Sequence, residues 1–302
     1  MTTPGSAVLR LATRSSAQAT AQAQAVADAL MAAHHGLQVE LVFVETLGDQ
    51  RLDVPLHTIG GQGVFVKEVQ RAVLAGHADL AVHSAKDLPS VTGEGLLLAA
   101  FTARRDARDA LVGRSLADLP QGATVATGSV RRRAQLMAVR PDLQFVELRG
   151  NIHTRLSKLP EGGALVMAVA AMQILDITDR IAQALPVDEF VPAPGQGCVA
   201  IECRDDDTHT AAVLAAVDHA PTRLVVEAER AFLAELGTGC SLPVAAHAVE
   251  VAPGEHLLHG FLADPASGRH VARSVALPAG GTESRAVAAA LAAALRAQLG
   301  AA

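Results

Sequence analysis

Through the first two thirds of the chain, short apolar runs alternate with longer segments of helical period. Residues 7–13 read as a strand, 16–33 as an Ala- and Gln-rich helix, 38–44 as an alternating strand and 64–75 as a helix. A buried strand over 79–83 ends in the turn SAKDLP, and 95–100 predicts another. The charged stretch TARRDARDA (102–110) breaks the pattern and reads as a hinge. A second series follows, with strand 123–127, helix 130–139, strand 143–148, helix 152–158 and strand 164–168. PAPGQG (192–197) marks a second break, and 198–203 offers one more buried strand. Strands alternating with helices imply parallel sheets covered on both faces. Two breaks around one such block imply an inserted lobe, reached and left by separate crossings. After a helix over 221–236 come three consecutive strands (244–251, 257–262 and 271–277) and an Ala-rich helix from Glu283. The expected fold class is therefore α/β, with two lobes built on parallel-rich sheets plus a small C-terminal α+β domain. Lobe 1 is assigned 1–103 and 198–218, lobe 2 is assigned 104–197, and the third domain 219–302.

Composition narrows the function. With seven Phe and neither Tyr nor Trp among 302 residues, the cores are aliphatic, and the poverty of aromatics argues against a base-stacking platform for single-stranded nucleic acid. A formal charge of −6 disfavours a nucleic-acid binder. The apolar runs near 162–172 and 286–295 are too short to span a bilayer, and residues 1–16 lack a signal-peptide core. Cys198, Cys203 and Cys240 form no CxxC, and Cys198 and Cys203 point to opposite faces of their strand, so no metal site is expected. A reduced, cytoplasmic protein is the simplest reading.

The chemistry gathers at the carboxyl ends of the predicted strands. Three times a strand stops at a Ser, Thr or Asn that opens a helix, with a basic residue beside it: Arg14 and Ser16; Thr127, Ser129, Arg131, Arg132 and Arg133; and Arg149, Gly150, Asn151 and Arg155. Ser or Asn at a helix start by itself only caps orphan amides. A cation in a first helical turn, however, opposes the macrodipole by roughly 0.3–1 kcal/mol unless an anion is present. Residues 127–158 hold six Arg and one Lys against Asp142 and Glu147. At about 100° per residue, Arg131, Arg132 and Arg133 cannot all face one ligand. An isolated RRR reads as a solvated face. Repetition of the motif in both halves favours a cleft for a polyanion. Ser84, Lys86 and Asp87 end a buried strand at the same sheet edge, where a carboxylate among cations can stabilise a cationic intermediate, and His83 reads as structural. Cys240, in the Gly-flanked loop GTGCS, is either an accessible nucleophile or a packing residue.

In order and spacing, several stretches resemble the porphobilinogen deaminase family. They are RLATRSS (10–16), GQGVFVKE (61–68), ADLAVHSAKDLP (78–89), RDARDA (105–110), GSVRRRAQL (128–136), RPDLQFVELRGNIHTRLSKL (140–159), LPVDEFVPAPGQGCVAIECR (185–204) and GTGC (237–240). The resemblance implies two periplasmic-binding-protein-like lobes and a third domain that carries a cofactor. It implies a dipyrromethane held by a thioether to Cys240, and Asp87 with Lys86 as catalytic residues. Asp87 would contact pyrrole N–H groups and stabilise the cation formed as porphobilinogen loses ammonia. Arg14, Ser16, Ser84, Lys86, Thr127, Ser129, Arg131, Arg132, Arg149, Gly150, Asn151 and Arg155 would bind the cofactor and substrate carboxylates, with Phe65 packing against them. Four porphobilinogen molecules would be joined head to tail and released by water as hydroxymethylbilane, in tetrapyrrole (haem) biosynthesis. A monomer that hands its product to uroporphyrinogen-III synthase is expected. Leu47, Gln62 and Ile174 stand where relatives carry cations, and Gly128 where they carry Ser or Thr. Lower efficiency and looser chain-length control are expected from these departures. Two rival readings are a non-catalytic two-lobed anion binder and an inactive deaminase homologue.

Overall fold

The structure, a computed structural model, describes residues 8–46, 63, 65–237 and 243–300. Among these residues the strands form three sheets. The first has the order β2-β1-β3-β10-β4. Its strands are β1 (Val8–Arg14), β2 (Gln38–Val44), β3 (Leu80–Ser84), β4 (Leu96–Phe101) and β10 (Val199–Arg204). Alternation along the strands assigns side chains to two cores. Leu9, Leu11, Leu80 and Val82 meet Ala23, Val26, Ala27 and Leu30 of helix α1 (Ala17–Ala33), whose i, i+3, i+4, i+7 spacing makes one apolar stripe. On the opposite face Ala12 and Ala81 meet Val69 and Val73 of helix α2 (Lys67–Leu74). The sheet is thus covered on both sides.

The second sheet has the order β7-β6-β8-β5-β9. It comprises β5 (Asp109–Val112), β6 (Thr124–Ala126), β7 (Gln144–Val146), β8 (Ala164–Ala168) and β9 (Ile181–Ala184). Helices α3 (Val130–Val139), α4 (Ile152–Leu156) and α5 (Val169–Ile174) connect them. After β10, α6 (Thr208–Leu214) leads to α7 (Ala220–Leu236), where His219 caps the first turn and Gly237, at φ +64°, follows the last. The antiparallel sheet β11 (Val244–Ala252), β12 (Glu255–Ala263) and β13 (His270–Leu277) comes next, then α8 (Gly281–Gly300). α7 and α8 pack Val226, Phe232, Leu291 and Leu295 against Leu258 and Leu262. Phe232 reaches the sheet because β12 carries Gly260 opposite it.

Both larger sheets are mixed, which the strand and helix alternation does not reveal. β10 runs antiparallel to β3 and β4, and β5 runs antiparallel to β8 and β9. The crossings explain this. β4 runs to Phe101 and the chain leaves for the second sheet; β10 starts beside Ser84 and Phe101, where the chain returns, and must run away from that edge. β5 enters the second sheet at its own cleft edge, with Asp109 beside Ala168 at the end of β8, for the same reason. Cys198, just before β10, and Cys203, within it, lie in different cores.

The outgoing and returning crossings are bonded to each other, the Arg105 amide donating to the Gly197 carbonyl at 2.8 Å. Gly197 has φ +85°, and a Cβ there would lie 2.6 Å from the Arg105 carbonyl oxygen. Only glycine meets both demands. No helix among the described residues is long and apolar enough to cross a membrane.

Candidate active-site cleft

The carboxyl ends of β1 and β3 face those of β6, β7 and β8 across a cavity of about 550 Å³. Arg14, Ser16, Phe65, Ser84, Lys86 and Asp87 line it from the first sheet. Ser129, Arg131, Arg132, Arg149, Gly150, Asn151 and Arg155 line it from the second. Thr127 does not line it: its side chain is buried beneath the loop, and its hydroxyl accepts the Ser129 amide at 3.2 Å. Ser16, Ser129 and Asn151 cap α1, α3 and α4 by accepting the amides of Ala19, Arg132 and Thr154. Arg14 stacks on Phe65, with its guanidinium carbon 4.0 Å from the ring centre.

Lys86 and Asp87 sit on a single 3-10 turn, Ala85–Asp87, that ends β3. Burial, and then the positive charge of Arg132, push the Lys86 amine down to about 8. Its hydrogen bond runs from Nζ to Gln196 Oε1 at 3.2 Å. Arg155 is pushed down to about 10 by burial first and then by Arg132, against the opposing pull of Asp87. Its Nε donates to the Gly150 carbonyl at 2.7 Å. Ser84 donates to Gln22 Oε1 at 3.1 Å and accepts from Gln18 Nε2 at 3.4 Å. These two glutamines also line the cavity, and their i, i+4 spacing on α1 was the signal for them in the sequence. His83 lies with its Nε2 3.1 Å from Glu202 Oε2, both side chains buried. The donor to this carboxylate is Gln70 Nε2, at 2.9 Å from Oε2 and 3.2 Å from Oε1.

The RRR run divides three ways. Arg133 is exposed, its guanidinium 5.5 Å from the Phe145 ring centre. Arg131 and Arg132 are buried, and the anion between them belongs to the chain itself. Arg131 Nη1 lies 2.7 Å from Asp109 Oδ2, and Arg132 Nη2 lies 2.6 Å from Asp109 Oδ1. Further donations go to the Val191 and Val166 carbonyls. Burial alone would raise the Asp109 carboxyl, but the two guanidinium groups hold it far below the usual range. An anionic ligand therefore meets the remaining faces of these two forks rather than bare cations.

Gln196 and Glu229 are among the buried polar residues that escaped the sequence reading. Gln196 is fully buried in the returning crossing. Glu229, also fully buried on α7, accepts from Arg104 twice, from the Gly195 and Ala248 amides, and from His247. Its signal was there: positions 225, 229, 232 and 236 share one helical stripe, otherwise Val, Phe and Leu. An acid within an apolar stripe demands a buried partner. Cys240, Leu47 and Gln62 lie outside the described residues. Ile174 ends α5, whose Ala171 lines the cavity. At Gly128 a Cβ would lie 2.8 Å from the Leu148 carbonyl oxygen, so this loop approaches its neighbour more closely than a Ser or Thr there permits.

Family models match almost all of this architecture. "Porphobilinogen deaminase, dipyromethane cofactor binding domain" covers residues 9–212, and "Porphobilinogen deaminase, C-terminal domain" covers 223–296. The chain belongs to the porphobilinogen deaminase family. The porphobilinogen deaminase of Syntrophotalea carbinolica is 46% identical over 284 residues, spanning 92% of this chain and 90% of the relative. That of Xanthomonas axonopodis pv. citri is 50% identical over 245 residues, spanning 80% and 81%. Among solved structures, a methionine binding protein is similar at 14% identity and a TM-score of 0.42, covering 74% of this chain and 90% of that one. Membership makes the chain a transferase of tetrapyrrole biosynthesis that uses a dipyrromethane cofactor.

Proposed function

We propose that the cleft performs the porphobilinogen deaminase reaction with Asp87 at its chemical centre and with Cys240 anchoring the cofactor. One observation supports this most: Lys86 and Arg155 are both depressed by burial and by the same neighbouring guanidinium, Arg132. Cations crowded this way in a half-buried cleft are relieved by an anionic ligand. A dipyrromethane fits, because each of its two pyrroles bears two carboxylates. When bound, it supplies an anchored pyrrole end to which substrate units are joined.

The chain's own groups would then divide the work. Arg14, Lys86, Arg149 and Arg155 bind carboxylates, together with the free faces of Arg131 and Arg132. Ser16, Ser84, Ser129, Gly150 and Asn151 fix the orientation of those carboxylates, while Phe65 holds Arg14 in place. Thr127 contributes by bracing the Ser129 loop. Asp87 accepts N–H bonds from a pyrrole and stabilises the positive charge that develops as ammonia leaves. Residues 1–103 with 198–218, 104–197 and 219–302 would form the three units. A cytoplasmic monomer, passing hydroxymethylbilane to uroporphyrinogen-III synthase, suits a labile open-chain product.

The test is an intact mass of the purified protein beside a Cys240→Ala variant, with an Ehrlich's-reagent assay for pyrroles. A mass increment of two linked pyrrole units, absent in the variant, supports the reading. An unmodified mass that persists after incubation with porphobilinogen overturns it. Formation of a linear tetrapyrrole by loaded protein separates a working enzyme from an inactive homologue.

A further inference from the structure

Gln196 lies where three parts of the molecule meet. Its side chain is fully buried, between the turn that ends β3 and the start of β5. The amide nitrogen donates twice, to the Ala107 carbonyl at 2.7 Å and to Asp109 Oδ1 at 2.9 Å. The amide oxygen accepts Lys86 Nζ at 3.2 Å. The backbone is engaged as well: the Gln196 carbonyl accepts Arg104 Nε at 2.8 Å, and its amide donates to the Ala193 carbonyl. The side-chain orientation has one solution. Flipping the amide would set its NH2 against an ammonium and its oxygen against a carboxylate and the Ala107 carbonyl, turning three bonds into three repulsive contacts.

We propose that Gln196 is a positioning residue that holds the Lys86 ammonium of the first sheet in the cleft and locks it to the Asp109–Arg131–Arg132 ion cluster of the second. A neutral acceptor is the group this task needs. Glutamate here would cancel the Lys86 charge and place a second carboxylate against Asp109. An aliphatic residue would leave the ammonium and one Asp109 oxygen each short of a partner. Glutamine fixes the cation without neutralising it, so the charge stays available to an anionic ligand. The charged groups acting on Lys86 are Asp87 from its own turn and Arg132, Asp109 and Arg131 from the facing lobe. Its hydrogen bond goes instead to the neutral Gln196. The functional meaning rests on the proposed role of Lys86 as a carboxylate-binding cation; the positional claim does not.

The experiment is competitive acetylation of the full-length protein between pH 6 and 11, read peptide by peptide by mass spectrometry. Only the neutral amine reacts, so each lysine reports its own titration. In the unsubstituted protein, Lys86 should titrate at least one pH unit below the ordinary lysine value of 10.5. In Gln196→Glu its midpoint should rise by one unit or more, which from a midpoint of about 8 is a roughly tenfold fall in labelling at pH 7. In Gln196→Leu labelling at pH 7 should rise several-fold. A Lys86 midpoint at the ordinary lysine value of 10.5 in the unsubstituted protein overturns the proposal without any variant, and so does an unmoved midpoint in a folded Gln196→Glu protein. If the midpoint moves as expected while porphobilinogen KM stays unchanged, Gln196 positions Lys86 but the carboxylate-binding role of Lys86 is wrong.

Discussion

Arg104 and Glu229 join the outgoing crossing to α7 through a two-point ion pair, Nη1 to Oε1 at 2.6 Å and Nη2 to Oε2 at 2.9 Å. Glu229 is fully buried and also receives the Gly195 amide from the returning crossing and the Ala248 amide from β11. One carboxylate therefore ties both crossings to the third domain. Removing one partner of a buried pair leaves the other charge uncompensated, at a cost of about 3–5 kcal/mol. Glu229→Leu should lose about that much in urea unfolding, and Glu229→Gln less, because the amide oxygen can still accept a backbone N–H.

Acid should open the same junction. Burial alone would raise the Glu229 carboxyl, but Arg104 and His247 outweigh it and hold it at about 2, below its ordinary value of 4.5. A carboxylate depressed in the fold contributes stability that is full above its unfolded pKa and disappears as pH falls toward the folded one. His247, lowered by burial, adds to the loss, because the unfolded chain takes up its proton at higher pH. Unfolding free energy should therefore fall from pH 7 to pH 3, with the steepest loss below about 4.5. Glu229→Gln should flatten that slope when unfolding is measured at each pH.

Asp87→Asn should retain the melting temperature and lose at least about 100-fold in turnover, the scale expected when a charge that stabilises a developing cation is removed. Porphobilinogen consumption beside circular dichroism checks both halves. Near-normal turnover would take Asp87 out of the catalytic role.

Gly197→Ala should destabilise the protein although it adds only a methyl group. The residue would be held at φ +85°, and its Cβ would press on the Arg105 carbonyl, 2.6 Å away. Strain of this kind costs on the order of 1–3 kcal/mol. Thermal unfolding should register it, whereas Gly122→Ala, with the same sign of φ and open space around it, should cost less.

Most elements could be read from periodicity, and the gaps have particular causes. α3 and β8 fall where their patterns place them, at 130–139 and 164–168. β5 was hidden because Asp109–Val112 reads as the tail of a charged break. β9, Ile181–Ala184, offers only four residues with two Ala and one Gln. α5 follows β8 without a gap, so strand and helix share one apolar run that periodicity cannot divide. In the site, helical spacing separated Arg133 from its two neighbours. It could not indicate that Asp109, more than twenty residues earlier, fills the space between Arg131 and Arg132. That contact is made by an antiparallel strand whose direction depends on where the chain crosses.

The position of β10 also sets an order of events during synthesis. Among the described residues β4 is attached to the first sheet only through β10, and β10 is made after the whole of the second sheet. A nascent chain can therefore close the β5–β9 sheet while the Leu96–Phe101 segment still waits for its neighbour. Until Val199–Arg204 leaves the ribosome, β3 presents an open edge and β4 an unclaimed apolar strand, the kind of exposed surface that chaperones shield. The lobe that begins the chain is the one that cannot finish first.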